Sequence, residues 1–143
     1  MKNKLIYLCG PMTGLTIEQY SKWRKYVQNE FAEINPSWKC FNPADHFNFE
    51  DVEKGIITDK QAMDIDLYHL KQSDIVLYYA NDGGKSLGSM AEIAIAYDHN
   101  IPIICTNPKS NMQNLHPWIE TMCNKIFDNL EDAIQFIVEH YFI

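Results

Sequence analysis

The sequence predicts an α/β fold, a parallel β-sheet covered by helices on both faces. Short apolar runs such as Leu5-Ile6-Tyr7-Leu8-Cys9 and Ile75-Val76-Leu77-Tyr78-Tyr79-Ala80 have strand length and end at Gly, Pro or Asn. Between them lie stretches with apolar residues at helical spacing. The two kinds alternate along the chain, the pattern that pairs parallel strands through helical crossovers. Five strands in this series fit the flavodoxin-like (Rossmann-like) order 2-1-3-4-5, whose switch point between strands one and three receives ligands at the carboxyl ends of the strands.

The first strand, residues 5–9, stops at Gly10-Pro11, and Met12 to Leu15 form a loop. Thr16-Ile17-Glu18-Gln19 has the form of a capping box. Tyr20, Trp23, Val27, Phe31 and Ile34 then recur at helical spacing, which predicts a helix over 17–34, ended by Asn35-Pro36. Trp38 to Phe41 is the second strand. Residues 44–58 are polar and aromatic without a period and are expected as a long loop over one edge of the site.

A helix follows over 59–72, with Met63, Leu67 and Leu70 on one face and Asp66 at its border. Strand three, 74–80, leads through Asn81-Asp82-Gly83-Gly84-Lys85 into another helix, which Asn100 can end in a left-handed conformation. Strand four is expected at 101–105. Residues 107–121 give a polar loop and a short helix with Pro117 in its first turn. A last strand at 125–128 precedes a helix capped by Asn129 and striped by Leu130, Ile134, Ile137, Val138 and Tyr141.

At 143 residues the chain is most simply one domain. Its 46% hydrophobic and 22% charged residues are those of a soluble globular protein, without an apolar run of membrane-span length or a signal peptide. Cys9, Cys40, Cys105 and Cys123 are far apart and lack the spacing of a zinc site, as expected of reduced thiols in the cytoplasm. A net charge of −7 argues against nucleic acid as a partner but leaves room for a small anionic ligand.

Several familiar sites are set aside. Gly83-Gly84-Lys85-Ser86 ends like a P-loop, but Tyr79 stands where its first glycine belongs. There is no G-x-G-x-x-G fingerprint and no G-x-S-x-G elbow. Asp64-x-Asp66-x-x-His69 lacks a second ligand cluster, so neither a metal nor a cofactor is expected.

The helix after strand three carries one acid, Glu92, within its first two turns. Gly88, Ser89, Ile95 and Ala96 share its face at spacings of three and four residues, and the small ones leave room for a ligand. The predicted topology puts Glu92 and Asp66 at one crevice, with Tyr7 of the first strand beside them. Two carboxylates suit attack at an anomeric carbon, one as nucleophile and the other serving the leaving group. The helix N-terminus is expected to keep Glu92 ionised, and a neighbouring carboxylate to help Asp66 keep its proton.

Tyr7-Leu8-Cys9-Gly10, Asp66-Leu67 ahead of Ser73-Asp74-Ile75-Val76-Leu77, Ser86-Leu87-Gly88 six residues before Glu92, and the closing His140-Tyr141-Phe142 together resemble the nucleoside 2-deoxyribosyltransferase superfamily. The resemblance implies that Glu92 forms a covalent 2-deoxyribosyl intermediate, that Asp66 assists the base or sugar, and that Tyr7 orients Glu92. It implies substrate contacts from Gly10 and Met12 and from Ser86, Gly88 and Ser89. Ser86 stands where the 2′-deoxynucleoside 5′-phosphate N-hydrolases of the superfamily bind phosphate. Asn114-Leu115-x-x-Trp118 looks more like the transferase segment that reaches a neighbouring subunit's site, and His116 replaces a phosphate-contacting serine of the hydrolases. The expectation is a homo-oligomeric N-glycosidase acting on a small deoxynucleotide in nucleotide salvage. Base exchange between deoxynucleosides is the nearest other activity, and a non-catalytic nucleotide-binding sensor is the contrasting class.

Overall fold

The computed structural model describes residues 3–46, 49–108 and 115–143. Five strands, β1 (Lys4–Cys9), β2 (Trp38–Phe41), β3 (Ile75–Tyr79), β4 (Ile103–Thr106) and β5 (Lys125–Phe127), form one parallel sheet in the order β2-β1-β3-β4-β5. This is the flavodoxin-like order expected from the sequence. Among the described residues, the helices are α1 (Ile17–Ile34), α2 (Pro43–His46), α3 (Phe49–Glu53), α4 (Asp59–Gln72), α5 (Leu87–Asp98), α6 (Pro117–Met122) and α7 (Leu130–His140).

Side chains alternate across the strands, so the core divides into two layers. Ile6, Leu8, Ile75, Leu77 and Ile104 pack with Trp23, Val27 and Phe31 of α1 and with Ala133, Ile134 and Ile137 of α7. On the other face Tyr7, Cys9, Val76, Tyr78, Ile103 and Cys105 pack with Leu70 of α4, Ile93 and Ala96 of α5, and Ile119 of α6.

Local chemistry sets the helix ends. Thr16 and Thr58 close full capping boxes with Gln19 and Gln61. Asn100, at φ 59°, closes α5 in a Schellman motif: its N–H donates to Tyr97 O at 3.1 Å, and that of Ile101 donates to Ala96 O at 2.9 Å. Asn129 caps α7, and Pro117 occupies the first turn of α6.

The stretch expected as a long loop instead contains α2 and α3. Asn42 Oδ1 accepts from Ala44 N at 2.9 Å and starts α2, while α3 ends at Gly55, where Ile56 N donates to Asp51 O at 3.0 Å. Helices of 4 and 5 residues are too short to show an apolar period, which is why the pattern missed them. Strand four begins at Ile103 rather than Ile101: Pro102 accepts from Val76 N but has no N–H to give to the ladder. Among the described residues, no helix is long and apolar enough to cross a membrane.

Candidate active site

Glu92 lies in the second turn of α5, directly over the carboxyl end of β1. Tyr7 Oη donates to Glu92 Oε2, and Cys9 Sγ lies 3.6 Å from Glu92 Oε1 and 3.9 Å from Ser89 O. Tyr7 and Cys9 are two residues apart on one strand and therefore share a face, so a single strand serves both carboxylate oxygens. Tyr7 is fully buried and stacked on Phe41 at 5.4 Å between centroids, and Phe41 in turn stacks on His69 of α4 at 4.1 Å.

A cavity of about 290 Å³ opens between α4 and α5, lined by Met63, Asp66, Leu67, Gly88, Ala91, Glu92 and Ile95. The structure thus brings the two predicted acids together. Residues 88, 92 and 95 follow one helical face toward the cavity, whereas Ser89 and Ala96 turn toward the sheet and are buried. The expected face is in fact divided between ligand space and core. A Cβ on Gly88 would meet nothing within 4 Å, so the absence of a side chain there leaves the cavity open.

Gly10, Met12, Ser86, Ser89 and His116 are not among the residues that line this cavity. Ser86 is the N-cap of α5, its Oγ accepting from Ser89 N at a long 3.4 Å, and Ser89 Oγ is buried with no hydrogen-bond partner among the described residues. Gly10 closes β1: an added Cβ would sit 2.7 Å from the Trp23 ring, which is why a glycine stands there. Met12 is partly exposed, and its carbonyl accepts from Leu15 N at 3.1 Å. His116 is exposed and caps α6, Nδ1 accepting from Trp118 N at 3.1 Å. Asn114 lies outside the described residues.

Two neighbours escaped the sequence reading. Cys9 reads from the sequence as one of four reduced thiols, yet its period-2 relation to Tyr7 aims it at Glu92. Arg24 is 1% exposed on the apolar face of α1, where Nη2 donates to Gly10 O at 3.0 Å and Nη1 donates to Tyr20 O at 2.5 Å. A charged residue at core spacing, four after Tyr20 and three before Val27, was the available signal.

The electrostatics separate the two acids. Burial raises the Glu92 carboxyl above its ordinary range; the Tyr7 hydrogen bond, the Arg24 charge and the Cys9 hydrogen bond oppose that rise. The helix N-terminus is not the main support expected from the sequence, because its field fades beyond the first turn and Glu92 stands in the second. Burial, then the Glu92 and Asp66 charges, drive the Tyr7 hydroxyl far up; burial and Glu92 do the same to the Cys9 thiol. Both therefore remain protonated donors, and donors favour the ionised carboxylate. Burial and the Glu92 charge push Asp66 up to about 7, against the pull of Arg24. Asp66 Oδ1 is buried and has no hydrogen-bond partner among the described residues. The geometry pairs an acid held as an acceptor with one that retains a proton near neutrality, the division needed for nucleophilic and acid–base work.

A larger groove of about 540 Å³ lies in the other layer, lined among others by Trp23, Tyr26, Tyr79, Lys22 and Glu131. Its acids Glu18 and Glu131 are exposed, so it offers no comparable pair. Among the described residues, no group of three or more His, Cys, Asp or Glu side chains is placed to hold a metal ion.

The chain is thus a flavodoxin-like α/β protein with a two-carboxylate cavity at the switch point of its sheet. Solved structures that share this fold include the following three. A conserved protein from Enterococcus faecalis superimposes with a TM-score of 0.79 at 14% identity, covering 96% of this chain and 99% of that one. A 2-deoxyribosyltransferase from Bacillus psychrosaccharolyticus gives 0.68 at 20% identity, covering 96% and 91%. A CMP N-glycosidase from Clostridium botulinum gives 0.59 at 17% identity, covering 96% and 99%. No family model and no curated protein sequence matches the chain.

Proposed function

We propose that this protein is an N-glycosidase that cleaves the bond between base and sugar in a 2′-deoxynucleoside 5′-monophosphate and releases free base. The observation that carries the reading is the pairing of Glu92 and Asp66 in one cavity, with both Glu92 oxygens engaged by donors of β1. Fold neighbours that are a 2-deoxyribosyltransferase and a CMP N-glycosidase add support.

In this mechanism a Glu92 carboxylate oxygen attacks C1′ as the C1′–N bond breaks. The bonding pair leaves with the base, which takes the Asp66 proton. Water then attacks C1′, Asp66 removes its proton, and the bond from C1′ to Glu92 breaks. Two inversions give net retention. Tyr7 and Cys9 hold the attacking carboxylate in place throughout. Ser86 and the free N–H groups of the first turn of α5 are suited to a 5′-phosphate.

Base exchange differs only in that a second base, instead of water, attacks the intermediate. The exposed Met63 and Tyr68 of α4, Leu87 and Tyr97 of α5 and Trp118 of α6 favour an oligomer in which a neighbouring chain covers the cavity side. The free thiols fit a cytoplasmic setting.

The test is chromatographic detection of free base from deoxynucleosides and their 5′-monophosphates, with and without an acceptor base, alongside Glu92→Ala. Base released from monophosphates alone, without acceptor and not by the variant, is the expected result. New nucleosides formed only with an acceptor make the protein a transferase. Nucleotide binding without any base release makes it a sensor.

A further inference from the structure

We infer that Arg24 is a positioning residue whose buried guanidinium limits the Glu92–Asp66 cavity to one negative charge and directs that charge to Glu92. The inference deepens the reading of these two acids as the reacting pair. Burying a guanidinium without a partner carboxylate is costly. Yet among the described residues Arg24 forms no ion pair, and its Nε has no hydrogen-bond partner. Its bonds to the Gly10 and Tyr20 carbonyls, and its position 4.6 Å from the Trp23 ring, explain how it is held. They do not call for a full charge, since neutral donors satisfy carbonyls at lower desolvation cost.

The charge finds its purpose across the sheet. The carbonyl gripped at 3.0 Å belongs to Gly10, the residue after Cys9, whose thiol lies 3.6 Å from Glu92 Oε1. Arg24 thereby holds its charge at the carboxyl end of β1, one residue beyond the thiol that meets Glu92, in an interior that screens poorly. Among the described residues, the charged and titratable groups that bear on Glu92 include Tyr7 and Cys9 from β1, Asp66 from α4 and Arg24 from α1, with His69 of α4 stacked on Phe41 next to Tyr7. Tyr7 and Cys9 stay protonated, and Arg24 is the guanidinium whose charge acts on both carboxyl groups. One carboxylate balances the guanidinium; a second would be buried without compensation. Glu92, with two donors, takes the charge, and Asp66, with an unpartnered buried oxygen, keeps the proton.

The test is a carboxyl ¹³C NMR titration of the intact protein, with the two signals assigned through Glu92→Gln and Asp66→Asn, repeated in Arg24→Met and Arg24→Lys. In the unsubstituted protein Glu92 is expected to ionise at lower pH than Asp66. Arg24→Met should raise the Glu92 midpoint by about one unit or more, and Arg24→Lys should restore most of the shift. A purely structural Arg24 lowers the melting temperature of both variants and leaves the midpoints in place. Midpoints moved by less than about 0.3 units in a folded Arg24→Met overturn the inference. Should that variant not fold, the order of ionisation in the unsubstituted protein decides, and Asp66 ionising first overturns it. Because the readout needs no turnover, failure to release base tells against the proposed activity and not against this role.

Discussion

Tyr7 and Glu92, 85 residues apart in sequence, are joined by a direct hydrogen bond from the core of β1 to the second turn of α5. That bond fixes one oxygen of the proposed nucleophile, so it is the first to remove. Tyr7→Phe keeps the ring stacked on Phe41 and deletes only the donor. The Glu92 midpoint should rise, and the acidic limb of the activity profile should move to higher pH. A fall in kcat of roughly 10–100-fold is expected, with a stability change of about 1 kcal/mol, both read from one purified variant by kinetics and thermal melting.

Glu92→Gln removes the proposed nucleophile while retaining its volume. Base release should drop by at least about 10³-fold. The melting temperature should hold or rise, because a buried carboxylate is replaced by a neutral amide that still accepts from Tyr7. Acid-quenched unsubstituted protein should carry a deoxyribosyl adduct on the peptide containing Glu92, detectable by mass spectrometry and absent from the variant.

Asp66 provides the pH dependence. Its folded-state midpoint, about 7, lies above the ordinary carboxylate value, so its contribution favours the folded protein at low pH and is lost as pH rises through 7. Activity that needs its proton should fall over the same window. Asp66→Asn should abolish that alkaline limb along with most of the rate. Relative to the unsubstituted protein it should gain about 1–2 kcal/mol of stability at pH 8–9, allowing for solvent screening of this partly exposed group, and little at pH 4. Denaturant melts at the two ends of the range check the sign.

Gly88 supplies the space. Because an added Cβ meets no neighbour, Gly88→Leu should fold normally and gain roughly 0.5–1 kcal/mol from helix propensity. Its side chain would project into the cavity and should weaken substrate binding by at least about tenfold, measured as KM or by calorimetry with a nucleotide. Unchanged affinity would remove this cavity from the mechanism.

Much of this protein was legible in the one-dimensional pattern, because the physics that writes it is local. Apolar runs of strand length alternating with amphipathic helices determined the sheet and its order, and Thr16, Asn100 and Asn129 marked helix ends through side-chain and backbone bonds within a few residues. The expectation that Asp66 and Glu92 meet followed from topology, since both elements run along the same crevice. What only the tertiary structure decided is which groups surround those acids. Arg24 belongs to the opposite layer and is marked in the sequence only as a charge at core spacing, and Cys9 only as a strand thiol two residues from Tyr7; neither pattern says which groups they meet. The ionisation of Glu92 likewise depends on burial and on charges brought near by folding, not on its place in a helix. Local bonding shapes elements over a few residues, whereas the field at a buried carboxylate sums over every group within several ångströms, and only the folded chain determines which groups those are.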